Sequence, residues 1–129
     1  MIFVDTNVLM YAVGRAHPLQ DPAREFFAEH LRSAAPPLCT SAEVMQELMH
    51  AYLPVGRTTT LDAALNLVES VIEVTWSLEP EDVVLARGLA LERPSLTARD
   101  LIHVACCQRR GVRKIKTFDR VLRSAFERP

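Results

Sequence analysis

Cysteine is scarce in this 129-residue chain and poorly spaced for any staple: Cys39, Cys106 and Cys107 are odd in number and form no C-x-x-C pattern. That excludes a disulfide framework and a cysteine zinc site, and leaves the three as small core residues. Long hydrophobic runs are also missing. Although 49% of the residues are hydrophobic, no apolar stretch approaches the roughly 18 residues of a membrane span. The start lacks the basic segment of a signal peptide, so the expectation is a soluble, cytoplasmic protein with no membrane partner. Neither repeats nor low-complexity tracts occur, and the length fits a single domain over residues 1–129. Aromatics are few, and Trp76 and Tyr52 stand too isolated to suggest base stacking, which favours core packing for both.

The net charge of −1 conceals an uneven distribution. Residues 1–99 carry 7 basic and 13 acidic side chains (−6), whereas residues 100–129 carry 8 basic and 3 acidic (+5). Such polarity suggests an anionic partner near the basic end, with a solvated charged face as the plainer alternative.

What the chain does contain is an alternation of strand-like and helix-like segments. Ile2, Phe3 and Val4 form an apolar run of the kind buried on both sheet faces, and Asp5 ends it with no lysine or arginine nearby. Thr6 and Asn7 are good helix-cap residues before VLMYAV, which ends near Gly14. Asp21-Pro22 supplies an N-cap and a proline at the first helical position for AREFFAEHLRSA, and Pro36-Pro37 closes it. PLCT is the second strand. It leads into TSAEVMQELMHAYL, where Thr40 and Glu43 have capping-box spacing. GRTTT is expected to be a loop, followed by the helix LDAALNLVESV and the strand VIEVTW. Pro80 opens EDVVLARGLALER, Thr97 begins ARDLIHVACCQRR with Gly111 as its C-cap, VRKIKT is a fourth strand, and FDRVLRSAF is a final short helix. Alternation of this kind implies a parallel sheet covered on both faces, with sites at the carboxyl ends of its strands.

Acids fall at those ends. Asp5 follows the first strand and Asp119 lies two residues beyond Thr117, so both face one crevice on this reading. Asp100 sits in the first turn of a helix that has almost no polar side and is expected to be buried. Glu43 and Glu47 are four residues apart after the second strand, within about 40° of each other around a helix, and either reaches the same crevice. Each acid also has a structural explanation: Asp100 completes a Thr97-x-x-Asp100 cap, Asp119 caps the last helix, and Glu43 pairs with Thr40. Like charges about 4 Å apart repel by roughly 4 kcal/mol at an effective dielectric near 20, so converging carboxylates must hold protons or a cation. With no histidine or cysteine pair and only oxygen donors available, Mg²⁺ or Mn²⁺ fits. Such an ion supports phosphodiester hydrolysis by an activated water.

Taken together, VDTNVLMY, TSAEVMQEL, ARDLIHVA and IKTFDRVL, in this order and spread over nearly the whole chain, resemble the PIN-domain ribonucleases, specifically the small VapC-type toxins of prokaryotic toxin–antitoxin pairs. The resemblance implies a three-layer α/β/α fold with a central parallel sheet of four or five strands. It also implies a metal-dependent endoribonuclease whose acid quartet falls on Asp5, Glu47, Asp100 and Asp119. Asp5 and Asp100 would be the main Mg²⁺ or Mn²⁺ ligands, Asp119 would complete the site, and Glu47 would orient the attacking water or a second ion. Asn7 and Thr117 match polar positions that hold the acids or the water. Glu47 is preferred over Glu43 because Glu43 has the capping alternative. The implied partners are an RNA substrate, a cognate antitoxin and a second copy of the chain in a homodimer. For RNA contact the candidates are Arg99, Arg109, Arg110, Arg113, Lys114, Lys116 and Arg120.

Other readings are weaker. A catalytically silent PIN-like module that binds RNA or protein would use the acids only as caps. A haloacid-dehalogenase phosphatase needs a second aspartate two residues after the first, where this chain has Asn7, and VIEVTW has no aspartate for a phospho-receiver. Among the histidines, His103, one turn beyond Asp100, is expected to be a hydrogen-bonded core residue, with assistance to a metal as the alternative; His17 and His30 are expected to be surface residues, and His50 is a weak candidate for substrate contact.

Overall fold

A computed structural model describes residues 1–33 and 35–127. Four strands, β1 (Ile2–Val4), β2 (Leu38–Ser41), β3 (Val74–Trp76) and β4 (Lys114–Lys116), form one sheet in the order β3-β2-β1-β4, with every pair parallel. Among the described residues, seven helices flank it: α1 (Thr6–Val13), α2 (Gln20–Arg32), α3 (Ala42–Tyr52), α4 (Thr58–Val71), α5 (Pro80–Leu89), α6 (Ala98–Arg109) and α7 (Arg120–Glu127). The expected α/β architecture is therefore present, with four strands.

Strand composition follows position in the sheet. β1 lies between β2 and β4 and is covered on both faces, so Phe3 and Val4 are fully buried. β2 is buried along its whole length. At the edge, β4 reads Lys-Ile-Lys, with Lys114 exposed, a charged edge that discourages pairing with another chain. Two apolar clusters stabilise the layers. The larger joins β1 and β2 to α1, α2, α3 and α4 through residues such as Phe3, Leu9, Phe27, Leu48 and Val68. The smaller packs Leu89 of α5, Leu101 and Val104 of α6 and Leu122 of α7. Burial pushes the Cys106 thiol up to about 11 and raises the Cys39 and Cys107 thiols as well, in keeping with inert core cysteines.

Several local expectations are corrected. The cap of α1 is Asp5, whose carboxylate accepts from Thr6 N, and Thr6 is already helical. α2 begins at Gln20, so Asp21 and Pro22 lie in its first turn instead of preceding it. Ala34, the expected last residue of that helix, lies outside the described residues. The α3 cap is Ser41, which accepts from Val44 N, while Thr40 stays in β2 and donates to Val4 O at 2.9 Å. GRTTT is not a loop beyond Gly56 and Arg57, because α4 starts at Thr58 and its buried stripe of Leu61, Ala64 and Val68 outweighs the modest helix propensity of threonine. α5 stops at Leu89, short of the expected Arg93. As expected, Gly111 follows α6; its φ of 70° is the left-handed conformation that lets the chain turn toward β4.

The chain leaves β1 toward β2 and β3 on one side and returns to β4 on the other. That reversal places a crevice beyond the carboxyl ends of β1 and β4, the position at which open α/β sheets bind ligands.

Candidate active site

Asp5 occupies that crevice. It is buried, and both carboxylate oxygens are engaged: Oδ1 accepts from Thr6 N at 2.8 Å and Oδ2 from the Thr117 hydroxyl at 2.7 Å. Thr117 Oγ1 in turn accepts from Asn7 Nδ2 at 3.2 Å and from Asp119 N at 3.0 Å. One hydroxyl proton and two lone pairs are thus all used, so the proton must point at Asp5. Asn7 completes the seam, because its Oδ1 accepts from Phe118 N at 3.2 Å and so ties the β1–α1 junction to the β4–α7 junction.

Glu47 enters from α3. Thr6 Oγ1 donates to Glu47 Oε2 at 3.2 Å, and His103 Nε2 of α6 lies 2.6 Å from Glu47 Oε1 and 3.8 Å from Asp5 Oδ1. The short His103–Glu47 approach lacks the angle of a hydrogen bond, so Glu47 Oε1 and both ring nitrogens of His103 are buried without one. Burial pushes the Asp5 carboxyl above its ordinary range, with Glu47 adding to the shift, while His103, the Thr117 hydroxyl and Thr6 N–H pull against it. Burial alone would lower the His103 imidazole, but Glu47, Asp5 and Asp100 together hold it above its ordinary value. The cluster thus sets the Asp5 and Glu47 carboxylates around the buried imidazole of His103.

Asp100 and Asp119 take up the structural roles open to them in the sequence. Asp100 and Thr97 form a reciprocal capping box, with Asp100 N to Thr97 Oγ1 at 3.2 Å and Thr97 N to Asp100 Oδ2 at 3.3 Å. Asp119 Oδ1 accepts from Val121 N and Leu122 N at the start of α7. In each case only one carboxylate oxygen is hydrogen-bonded among the described residues. Glu43 makes no cap, and it is Glu47, one turn further along α3, that reaches Thr6 and His103. Asp5, Glu47 and His103 come together directly; Asp119 is joined to Asp5 through Thr117, and Asp100 sits one helical turn before His103.

His103 is the member for which the sequence favoured a core role over assistance to a metal. Its place three residues after Asp100 on an otherwise apolar helix was the available signal. Conversely, Arg109 and Arg110 are not free for RNA. They clamp Asp82 at 2.7 and 2.8 Å and Glu79 at 2.9 and 3.0 Å, and Arg110 also covers the Trp76 ring. Lys116 lies over the rings of Phe26 and Phe118, while Arg99, Arg113, Lys114 and Arg120 are exposed.

Among the described residues, no three His, Cys, Asp or Glu side chains approach closely enough to hold one metal ion by themselves. The donor chemistry nevertheless suits a hard cation. The acids offer only oxygen, one buried carboxylate oxygen of Glu47 has no hydrogen bond, and Mg²⁺ binds through one or two carboxylates with water and phosphate filling the remaining positions.

The PIN domain family model matches residues 2–126. Ribonuclease VapC23 of Mycobacterium tuberculosis is 62% identical over 126 residues, covering 98% of each chain. The crystal structure of VapC20 of the same species, a Sarcin-Ricin loop cleaving toxin, superimposes with a TM-score of 0.78 at 20% identity, covering 97% of this chain and 95% of that one. VapBC2 of Rickettsia felis, solved bound to a DNA fragment from its promoter, gives a TM-score of 0.66 at 16% identity over 92% of this chain and 88% of that one.

Proposed function

The chain belongs to the PIN-domain family, among the VapC ribonucleases, and from that premise we propose that it is the toxin of a VapBC-type pair, an endoribonuclease that hydrolyses RNA with Mg²⁺ or Mn²⁺ held at Asp5, Asp100 and Asp119 and with Glu47 orienting the attacking water or a second ion. The observation that carries this reading is the burial of Asp5 beside Glu47 at the sheet's switch point, where two carboxylates share one crevice.

Asp5, Asp100 and Asp119 would hold the ion. When bound, it supplies Lewis-acid polarisation of the phosphate and a more acidic water. The protein's own residues do the positioning. Thr117 orients Asp5 with its single proton, and Asn7 keeps Thr117 in register with the β1–α1 junction. Thr6 and His103 fix Glu47 from two sides, so that its carboxylate is aimed instead of mobile. An RNA substrate also sets the site of action in the cytoplasm, where a cognate antitoxin would restrain the activity and a second copy of the chain would form a homodimer.

One specific observation favours a second reading. Asp100 and Asp119 both act as helix caps, as they would in a catalytically silent module that binds RNA or protein. Incubating the purified protein with total cellular RNA, with and without Mn²⁺ and beside Asp100→Asn, separates the two. Cleavage confined to the wild type with Mn²⁺ supports the nuclease; identical RNA profiles in every lane leave the silent module.

A further inference from the structure

Beside the acid crevice lies a cleft of about 440 Å³ between α1, the turn after it, and the turn from α3 to α4. Its volume is within the roughly 300–1,000 Å³ range of small-ligand sites. Asn7, which is hydrogen-bonded to Thr117 and Phe118 in the crevice, also lines this cleft, so the two spaces adjoin.

The cleft holds an exposed ring that is fixed in place. His17 is exposed, yet its Nδ1 accepts from Leu19 N at 3.0 Å and its ring lies 4.5 Å from that of Tyr11 at a tilt of 31°. Tyr11 is itself braced edge-on by Phe118 at 5.7 Å. With Nδ1 accepting, the neutral imidazole carries its proton on Nε2, which leaves a donor available to a ligand. The Nδ1 bond and the Tyr11 ring together hold the His17 ring in one orientation at the surface, where a base can stack on it.

The charge of the cleft is equally specific. Arg15 is exposed, and the Arg57 guanidinium rests over the Tyr52 ring at 5.5 Å and bonds Thr60 Oγ1 at 3.3 Å. Like most of the described arginines outside Arg32, Arg109 and Arg110, neither forms an ion pair among the described residues. Among the described residues, no carboxylate lines the cleft. Two unpaired guanidinium groups beside an acid crevice suit a polyanion that must pass from one to the other.

We infer that this cleft is a subsite for one unpaired nucleotide of the RNA substrate, with the base stacked on His17 and the adjoining phosphates neutralised by Arg15 and Arg57. The inference rests on the ribonuclease reading and names the residues that grip the strand next to the reacting phosphate. Stacked aromatic rings favour a nucleic acid over an acidic peptide, because every base presents a π-face.

A fluorescein-labelled, random-sequence dodecaribonucleotide tests it, with anisotropy measured in EDTA and again in Ca²⁺, and folding checked by thermal melting. His17→Ala should weaken binding at least about fivefold, and His17→Phe should restore most of it, since stacking survives without the ring nitrogens. Arg15→Ala and Arg57→Gln should each reduce the slope of log affinity against log salt by about 0.7. No binding by the wild type in either buffer, or folded variants all within about twofold of it, overturns the subsite. RNA cleavage at the wild-type rate in His17→Ala likewise sinks the subsite while leaving the nuclease in place. His17-dependent binding with no cleavage in any lane keeps the subsite and sinks the nuclease. Unchanged dodecamer binding together with loss of antitoxin co-purification in His17→Ala assigns the cleft to a protein partner and overturns the RNA proposal.

Discussion

Thr117 donates its only hydroxyl proton to Asp5 Oδ2 at 2.7 Å, joining residues 112 positions apart in sequence, and its two lone pairs are filled by Asn7 Nδ2 and Asp119 N. Thr117→Val preserves the shape and removes all three bonds. The loss should cost about 1–3 kcal/mol in urea unfolding, because Asp5 Oδ2 stays buried without its donor. RNA cleavage should fall by about ten- to a hundredfold, as expected when a residue that orients a metal-site carboxylate is lost. Thr117→Ser should recover most of both. A loss confined to the serine variant, with valine matching the wild type, would place the effect in the methyl group's packing instead.

Burial, with Glu47 adding to it, works against ionisation of the Asp5 carboxyl, so a divalent cation in the crevice should stabilise the fold. At a hundredfold excess over Kd the gain is about 2.7 kcal/mol, read as a rise in melting temperature with added Mn²⁺ or Mg²⁺. Asp5→Asn should abolish the metal-dependent rise. A rise of the same size in Asp5→Asn would locate the ion elsewhere on the chain.

Away from the crevice, Asp82 of α5 is fully buried between Arg109 and Arg110 of α6. Burial pushes its carboxyl up, but hydrogen bonds from Arg110 and Arg109 outweigh burial and bring the pKa down to about 2. A folded-state pKa below the unfolded value of about 3.9 means stability that is fully present above pH 4. It is lost as pH falls through about 2, and amounts to on the order of 2 kcal/mol. Acid unfolding of Asp82→Asn should therefore show a flatter pH dependence between pH 4 and 2 than the wild type. At pH 7 the same variant should be destabilised by about 3 kcal/mol or more, since two arginines lose their shared partner. An unaltered acid profile would assign the dependence to other carboxylates.

The sheet and most helices were legible because their signals are local. An apolar triplet such as Ile2–Val4 can be satisfied only in a strand covered on both faces, and the Thr97-x-x-Asp100 box marks the start of α6 without reference to anything distant. Misreadings arose where a competing partner lay outside the local window. Thr40 has the spacing of a cap, but Val4 O across the sheet takes its hydroxyl and leaves the cap to Ser41. The threonines after Arg57 look like a loop until the buried stripe from Leu61 to Val68 draws them into α4. The site shows the same division. That Asp5 lies at a strand end was visible in the chain; that His103 sits against Glu47, or that Arg109 and Arg110 belong to Asp82, depends on helix packing between segments far apart in sequence.

Glu43 and Glu47 put that limit to a direct test. Periodicity places both on the side of α3 away from the buried Val44, Leu48 and Tyr52, and no local rule separates them. The tertiary structure does: Thr6 Oγ1 and His103 Nε2 meet Glu47, and one Glu47 oxygen is left buried without a hydrogen bond. Glu47→Gln keeps the volume and the contact with Thr6 but removes the charge facing His103 and the crevice. It should reduce RNA cleavage by about a hundredfold and bring the His103 imidazole down, which proton NMR of the ring would register as a lower titration midpoint. Glu43→Gln, which disturbs neither contact, should leave cleavage and the His103 midpoint within about twofold and a few tenths of a pH unit of the wild type. If Glu43→Gln proved the more damaging for cleavage while His103 titrated normally in both, the α3 acid serving the reaction would be Glu43, and the Glu47–His103 contact would be a packing feature of the core.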